Sequence, residues 1–185
     1  MTPRARTSAQ GTLPDYLRPG LDVVFVGINP GRRSAETGHH YAGRGNAFWP
    51  LLYESGLVPE RLSYEDDWRA PEFGIGLTNL VERWSPSMSD LTLAEMREGA
   101  ERLRAKLRRF RPRVVCFNGK GMYEVFAGRR CEYGLQPDRA EGALVYVMPS
   151  TSGRAAGFTR DDRLARFREL AALVARLRRS EEAGP

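Results

Sequence analysis

The stretch VFVGINPGRR, Val24 to Arg33, closes an apolar run with Asn29, Pro30 and Gly31 and then two arginines. Asn29 is a lone amide at the tip of that run, either a turn former beside a proline or a group that holds a ligand. The open backbone of NPGRR could equally cradle an anion. A second polar cluster lies in MPSTSGRAAGF, Met148 to Phe158. Ser150, Thr151 and Ser152 offer hydroxyls and backbone N–H groups to phosphates, and Gly153 permits the close approach of a backbone or duplex. Arg154 beside them is either a solvated cation or a side chain that reaches a partner. In TNLVERWSPSMSD, Thr78 and Asn79 end another apolar run, where polar side chains ordinarily satisfy their own backbone. Asp90 there is a carboxylate that could assist chemistry, or with Ser89 a cap for the helix that follows. His39 and His40 stand in a loop without supporting cysteines or carboxylate spacing, so a metal site is not expected.

Four apolar runs must position these loops: Leu21–Ile28, Gly74–Val81, Arg113–Asn118 and Ala143–Met148. The first, third and fourth are nearly continuous, as in strands covered on both faces of a parallel sheet. Leu93, Met96, Ala100, Leu103, Leu107 and Phe110 form a helical stripe that stops before Pro112. Leu164, Phe167, Leu170, Val174 and Leu177 predict a C-terminal helix, and shorter helices are expected after Asn46 and Gly119. Strands alternating with helices imply right-handed crossovers. The expected fold class is α/β, a three-layer α/β/α sandwich around a short, mainly parallel four-stranded sheet. Ligands of such sheets bind at the carboxyl ends of the strands, where the polar loops would gather at one cleft.

The 185 residues suit one domain, expected over 19–179, with a flexible basic arm at 1–18 and a short tail at 180–185. No run approaches the roughly 20 apolar residues of a membrane span, and the N-terminal segment lacks a secretory core. A cytoplasmic protein is therefore expected. Two cysteines, Cys116 and Cys131, cannot build a four-thiolate metal or cluster site. The net charge of +6 favours a polyanionic partner, and Lys106 and Lys120 are the only lysines among 29 basic residues.

The motifs GINPG, TGHHYAGRGNAFW, GIGLTNLVERWSP, FNGK, YGLQP and MPSTSGRAAGF, in that order, resemble those of the mismatch-specific uracil and thymine DNA glycosylases of the uracil-DNA glycosylase superfamily. The likeness runs from about Leu21 to Phe158. It implies an enzyme of base excision repair that flips uracil, best opposite guanine, out of duplex DNA and hydrolyses its N-glycosidic bond. Asn29 would hold the attacking water, which an amide can orient but not deprotonate, so catalysis would be slow and would lean on a good leaving group. Backbone N–H groups of the Ile28 and Phe48 loops would stabilise the departing pyrimidine oxygen. Phe48 would stack on the flipped base, Tyr41 would wall the pocket near the fifth carbon of the ring, and Thr78 and Asn79 would shape it. Trp49 is expected in the core. Lys120, Ser150, Thr151, Ser152 and Gly153 would contact DNA, and Arg154 would fill the gap left in the stack.

Two departures from relatives with an acidic first motif matter. Those enzymes carry an aspartate where Asn29 stands and a histidine where Met148 stands, so a weaker catalyst is implied, with Asp90 as the candidate compensating carboxylate. No cofactor, metal or membrane is implied, and the protein would work as a monomer on DNA holding a mispaired or damaged pyrimidine. The alternatives are a nucleotide-binding α/β protein and a non-catalytic sensor of damaged DNA. The first lacks both G-x-G-x-x-G and a P-loop, since FNGKGM has no G-x-x-x-x-G-K.

Overall fold

A computed structural model describes residues 11–183. Five strands form one sheet in the order β2-β1-β3-β5-β4, with β1 Val23–Gly27, β2 Ile75–Asn79, β3 Val114–Asn118, β4 Gly134–Ala140 and β5 Ala143–Met148. The first three pairings are parallel and β4 runs antiparallel to β5. The expected sheet of four strands is thus corrected to five. The helices are α1 Arg32–Thr37, α2 Phe48–Glu54, α3 Leu93–Phe110, α4 Lys120–Ala127 and α5 Arg160–Glu182. No helix among the described residues is long and apolar enough to cross a membrane.

The continuous apolar strands are explained by two cores. Successive side chains on a strand point to opposite faces. Val23, Phe25, Val114, Cys116, Tyr146 and Met148 pack on one side with Phe48, Trp49 and the α5 residues Leu164, Phe167, Leu170 and Val174. Val24, Val26, Val115, Phe117, Val145 and Val147 pack on the other with Met96, Ala100, Leu103 and Leu107 of α3 and Met122 and Phe126 of α4. The helical stripes fall where the sequence spacing puts them, except that Leu93, at the first position of α3, is half exposed. Met148 is fully buried in the core.

Each long helix begins with a capping box that satisfies its free N–H groups: Thr92 with Glu95 on α3, Thr159 with Asp162 on α5. At the end of the sheet remote from the polar loops, Asp22 binds Arg113 at 2.5 Å and also Arg178, tying β1 to β3 and α5. Residues 1–10 of the expected arm lie outside the described residues, as do residues 184–185 of the expected tail, while α5 continues to Glu182. The rest of the expected arm is held against the domain. Tyr16 forms an antiparallel bridge to Leu77, with N···O distances of 3.0 and 3.1 Å, and Asp15 binds Lys106 at 2.7 Å.

Candidate functional site

The carboxyl ends of β1, β2, β3 and β5 lie side by side, with Gly27 opposite Asn79 and Asn118 opposite Met148. The loops leaving them are stitched together. Leu80 N–H and Val81 N–H donate to the carbonyls of Gly27 and Ile28 at 2.8 Å each, drawing the segment after β2 onto the segment after β1. The Asn118 amide at the end of β3 bonds Thr151 twice, donating to Oγ1 at 2.9 Å and accepting from the backbone N–H at 3.0 Å. The Thr151 carbonyl in turn accepts from Ala47 N–H at 3.0 Å, fixing the start of α2. Thr151 has no exposed surface. It is a tie between loops, which corrects its expected place on DNA.

Asn29 is half-buried and its Nδ2 donates to the Arg83 carbonyl at 3.2 Å and to Ser85 Oγ at 2.8 Å. The hydroxyl of Ser85 is already spent on the Ser87 carbonyl at 2.7 Å, so its oxygen can only accept from Asn29. A carbonyl likewise only accepts. Both partners therefore demand the nitrogen side of the amide, which fixes the rotamer and leaves Oδ1 as the acceptor available to a ligand. Ser85, buried at 3 % exposure, carries no signal in the sequence although it stands in the loop TNLVERWSPSMSD. Nothing in its type distinguishes it from its neighbours Ser87 and Ser89.

Of the two aromatic residues, the one expected to meet a base is the more deeply buried. Phe48 has no exposed surface and is enclosed by Phe25, Trp49 and Phe167 in edge-on contacts. Tyr41 lies face to face on it, ring centroids 3.8 Å apart. Phe48 therefore has no face left for a base, and its N–H, expected to stabilise a pyrimidine oxygen, donates to Asn46 Oδ1 at 3.0 Å. Tyr41 is only partly buried and adopts φ of 55°, a left-handed conformation uncommon outside glycine. Its hydroxyl is buried with no hydrogen-bonding partner among the described residues, and burial pushes the phenol pKa up, the nearby Asn118 amide opposing. Gly27 makes room for this group: a Cβ there would stand 2.5 Å from Asn79 Oδ1 and 3.6 Å from the Tyr41 hydroxyl. Asn79 and Tyr41 thus lie against Gly27 at the end of β1, two residues before Asn29.

Thr78 does not join them. It is fully buried, donates to Asp15 Oδ1 at 2.6 Å and accepts from Lys106 at 3.3 Å, which removes it from the expected pocket. Gly153 is needed for a different close approach from the one expected, because a Cβ there would stand 3.0 Å from the Gly45 carbonyl oxygen. The 150s loop is therefore seated on the Arg44–Gly45 turn. Within it Ser150 Oγ accepts from Ser152 N–H at 3.2 Å, and Ser152 Oγ accepts from Arg154 N–H at 3.3 Å. Arg154 is exposed and reaches toward the Pro86 carbonyl at 3.4 Å, so its cation stands beside the loop that also holds Asn29.

Asp90 caps the short turn Met88–Asp90, accepting from Ser87 N–H at 2.9 Å, while Thr92 caps α3. Its carboxylate is thereby engaged as a cap, on a different element from the one considered. Lys120 turns to Glu132 at 3.7 Å and lies 5.1 Å over the Tyr133 ring, in an open cleft of about 450 Å³ with Gly121, Glu124, Arg130 and Cys131. His39 and His40 are occupied within the protein. His39 Nδ1 meets Asp67 at 3.0 Å, and His40 Nε2 donates to the Pro14 carbonyl at 2.8 Å.

Comparison with known proteins follows the same lines. The family described as the uracil DNA glycosylase superfamily matches residues 14–177. A Schizosaccharomyces pombe protein named G/U mismatch-specific uracil DNA glycosylase is 39% identical over 158 residues, which is 80% of this chain and 49% of that protein. The chain thus spans about half the length of this curated relative. A solution NMR structure from Methanosarcina acetivorans, provisionally named a uracil DNA glycosylase, is similar in fold with a TM-score of 0.56 and 22% identity, covering 87% of this chain and 98% of that one.

Proposed function

The chain belongs to the uracil DNA glycosylase superfamily, and from that membership we propose that it excises uracil mispaired with guanine from duplex DNA by hydrolysis, leaving an abasic site. The name of the S. pombe relative supports the mismatch. The observation that carries the chemistry is the polarity of the Asn29 amide. With its nitrogen held by Arg83 and Ser85, Oδ1 accepts a hydrogen from water and turns a water lone pair outward.

That lone pair attacks the anomeric carbon of an extruded nucleotide. The bond from this carbon to the pyrimidine nitrogen breaks with its electrons, uracil departs as an anion, and the proton of the water passes to solvent. An amide cannot take that proton, so the step is slow and depends on the leaving group. Tyr41, rather than Phe48, offers the stacking surface, and Asn79 lies alongside to meet the pyrimidine edge. Arg154 on its exposed loop enters the vacated space in the duplex, where its planar cation can bond the unpaired guanine. Ser150 and Ser152 bring hydroxyls to the same loop for the flanking phosphates.

The test is a duplex with a single G·U pair, incubated with excess protein and then treated with alkali to cut abasic sites. Strand cleavage at the uracil, faster than at A·U, is expected. An uncut strand with G·U, A·U and single-stranded uracil alike would overturn the proposal.

A further inference from the structure

Asp67, on the 3-10 helix Tyr64–Phe73, has no exposed surface. A carboxylate buried so deeply is costly unless its oxygens are well bonded. Here the bonds converge on one short segment. Oδ1 accepts from His39 Nδ1 at 3.0 Å and Oδ2 from the His40 backbone N–H at 2.8 Å, and the Tyr16 phenol stands near enough that burial and the Asp67 charge together raise its pKa. The next residue is Tyr41, in its left-handed conformation. The far side of Tyr41 is held as well, because Ala42 N–H donates to Ser34 Oγ at 3.1 Å. The His40 carbonyl accepts from the Trp49 indole at 3.1 Å. A strained backbone of this kind persists only where its surroundings over-determine it.

We propose that Asp67 is a positioning residue: by gripping the His39–His40 segment it keeps Tyr41 in the left-handed turn, one face on Phe48 and the other offered to an extruded pyrimidine. This rests on the reading of Tyr41 given under the proposed function. Released from the grip, the turn relaxes toward ordinary backbone angles and the ring leaves Phe48.

The experiment compares wild type, Asp67→Asn, Tyr41→Ala and the double variant. Each is measured for single-turnover uracil excision and for affinity to a G·U duplex whose uridine carries a 2′-fluorine and resists cleavage. Asp67→Asn is expected to weaken both by about tenfold, the scale of one lost base-stacking contact. The double variant is expected to be no worse than Tyr41→Ala alone, because the grip has nothing left to position. Losses that multiply in the double variant would show a general structural effect and overturn the inference. Should Asp67→Asn not fold, Ser34→Ala acts from the other side of Tyr41 and enters the same cycle with the same outcomes. Wild-type protein that neither excises uracil nor prefers the mismatch would remove the proposed function, and this inference with it. An active wild type with multiplying losses removes the inference alone.

Discussion

Asn29 carries the proposed chemistry only because its amide is held one way round. Ser85→Ala removes one of the two acceptors that hold it, and the rate of single-turnover excision should fall roughly five- to tenfold, as expected for a hydrogen bond of about 1 kcal/mol. Affinity for the uncleaved duplex should hardly change, and the variant should cost nothing further on an Asn29→Ala background. A rate equal to wild type would show that Arg83 alone suffices. Asn29, Asn79 and Arg154 come forward as candidates only through the resemblance of their motifs, because by type alone a turn amide, a polar strand end and a solvated arginine are the ordinary readings. The role of Ser85 depends on where its own proton points, toward Ser87, and no spacing rule encodes that. The order of Tyr41 and Phe48 was hidden for a related reason. Both are aromatic and close in sequence, and only the left-handed turn at Tyr41 decides which ring lies outermost.

At the level of elements, α3 sets the height of the loop that holds Asn29. Gly99 lies in the middle of this helix against the Leu80 carbonyl, where an added Cβ would fall well inside contact distance of backbone. Glycine there weakens the helix by up to about 1 kcal/mol relative to alanine, yet it admits the segment after β2. Gly99→Ala should therefore lower stability, by about 1 to 3 kcal/mol for an overpacked site, and thermal unfolding should begin several degrees earlier. A higher melting temperature would mean that helix propensity outweighs the clash. The long amphipathic helices and the continuous strands were readable because both faces of the sheet are covered. Strand β4 was not, since GLQPDRA buries only Gly134, Gln136 and Ala140 and contains Pro137, which argues against a central strand. Helix α1 was missed because only Ser34 of its six residues is buried, so it has no apolar stripe.

For the molecule as a whole, the buried His40 makes stability depend on acidity. Burial lowers its pKa below the ordinary 6.5, against the Pro14 carbonyl, Asp67 and Asp15, which favour the proton. The unfolded chain binds a proton as pH falls through about 6.5 and the folded chain resists it, so stability is lost on acidification below that point. His40→Gln, which keeps an N–H for Pro14, should show a smaller fall in melting temperature between pH 7.5 and 5.5. An unchanged pH dependence would place the effect elsewhere. The bridge between Tyr16 and Leu77 has a consequence for how copies of this protein meet. A sheet border with open N–H and carbonyl groups recruits strands from other chains. Here Tyr16 occupies that position on β2, while a bulge, a proline and charged side chains blunt the far border at β4. If it gathers on DNA as proposed, this basic protein is thereby guarded against zippering to its neighbours.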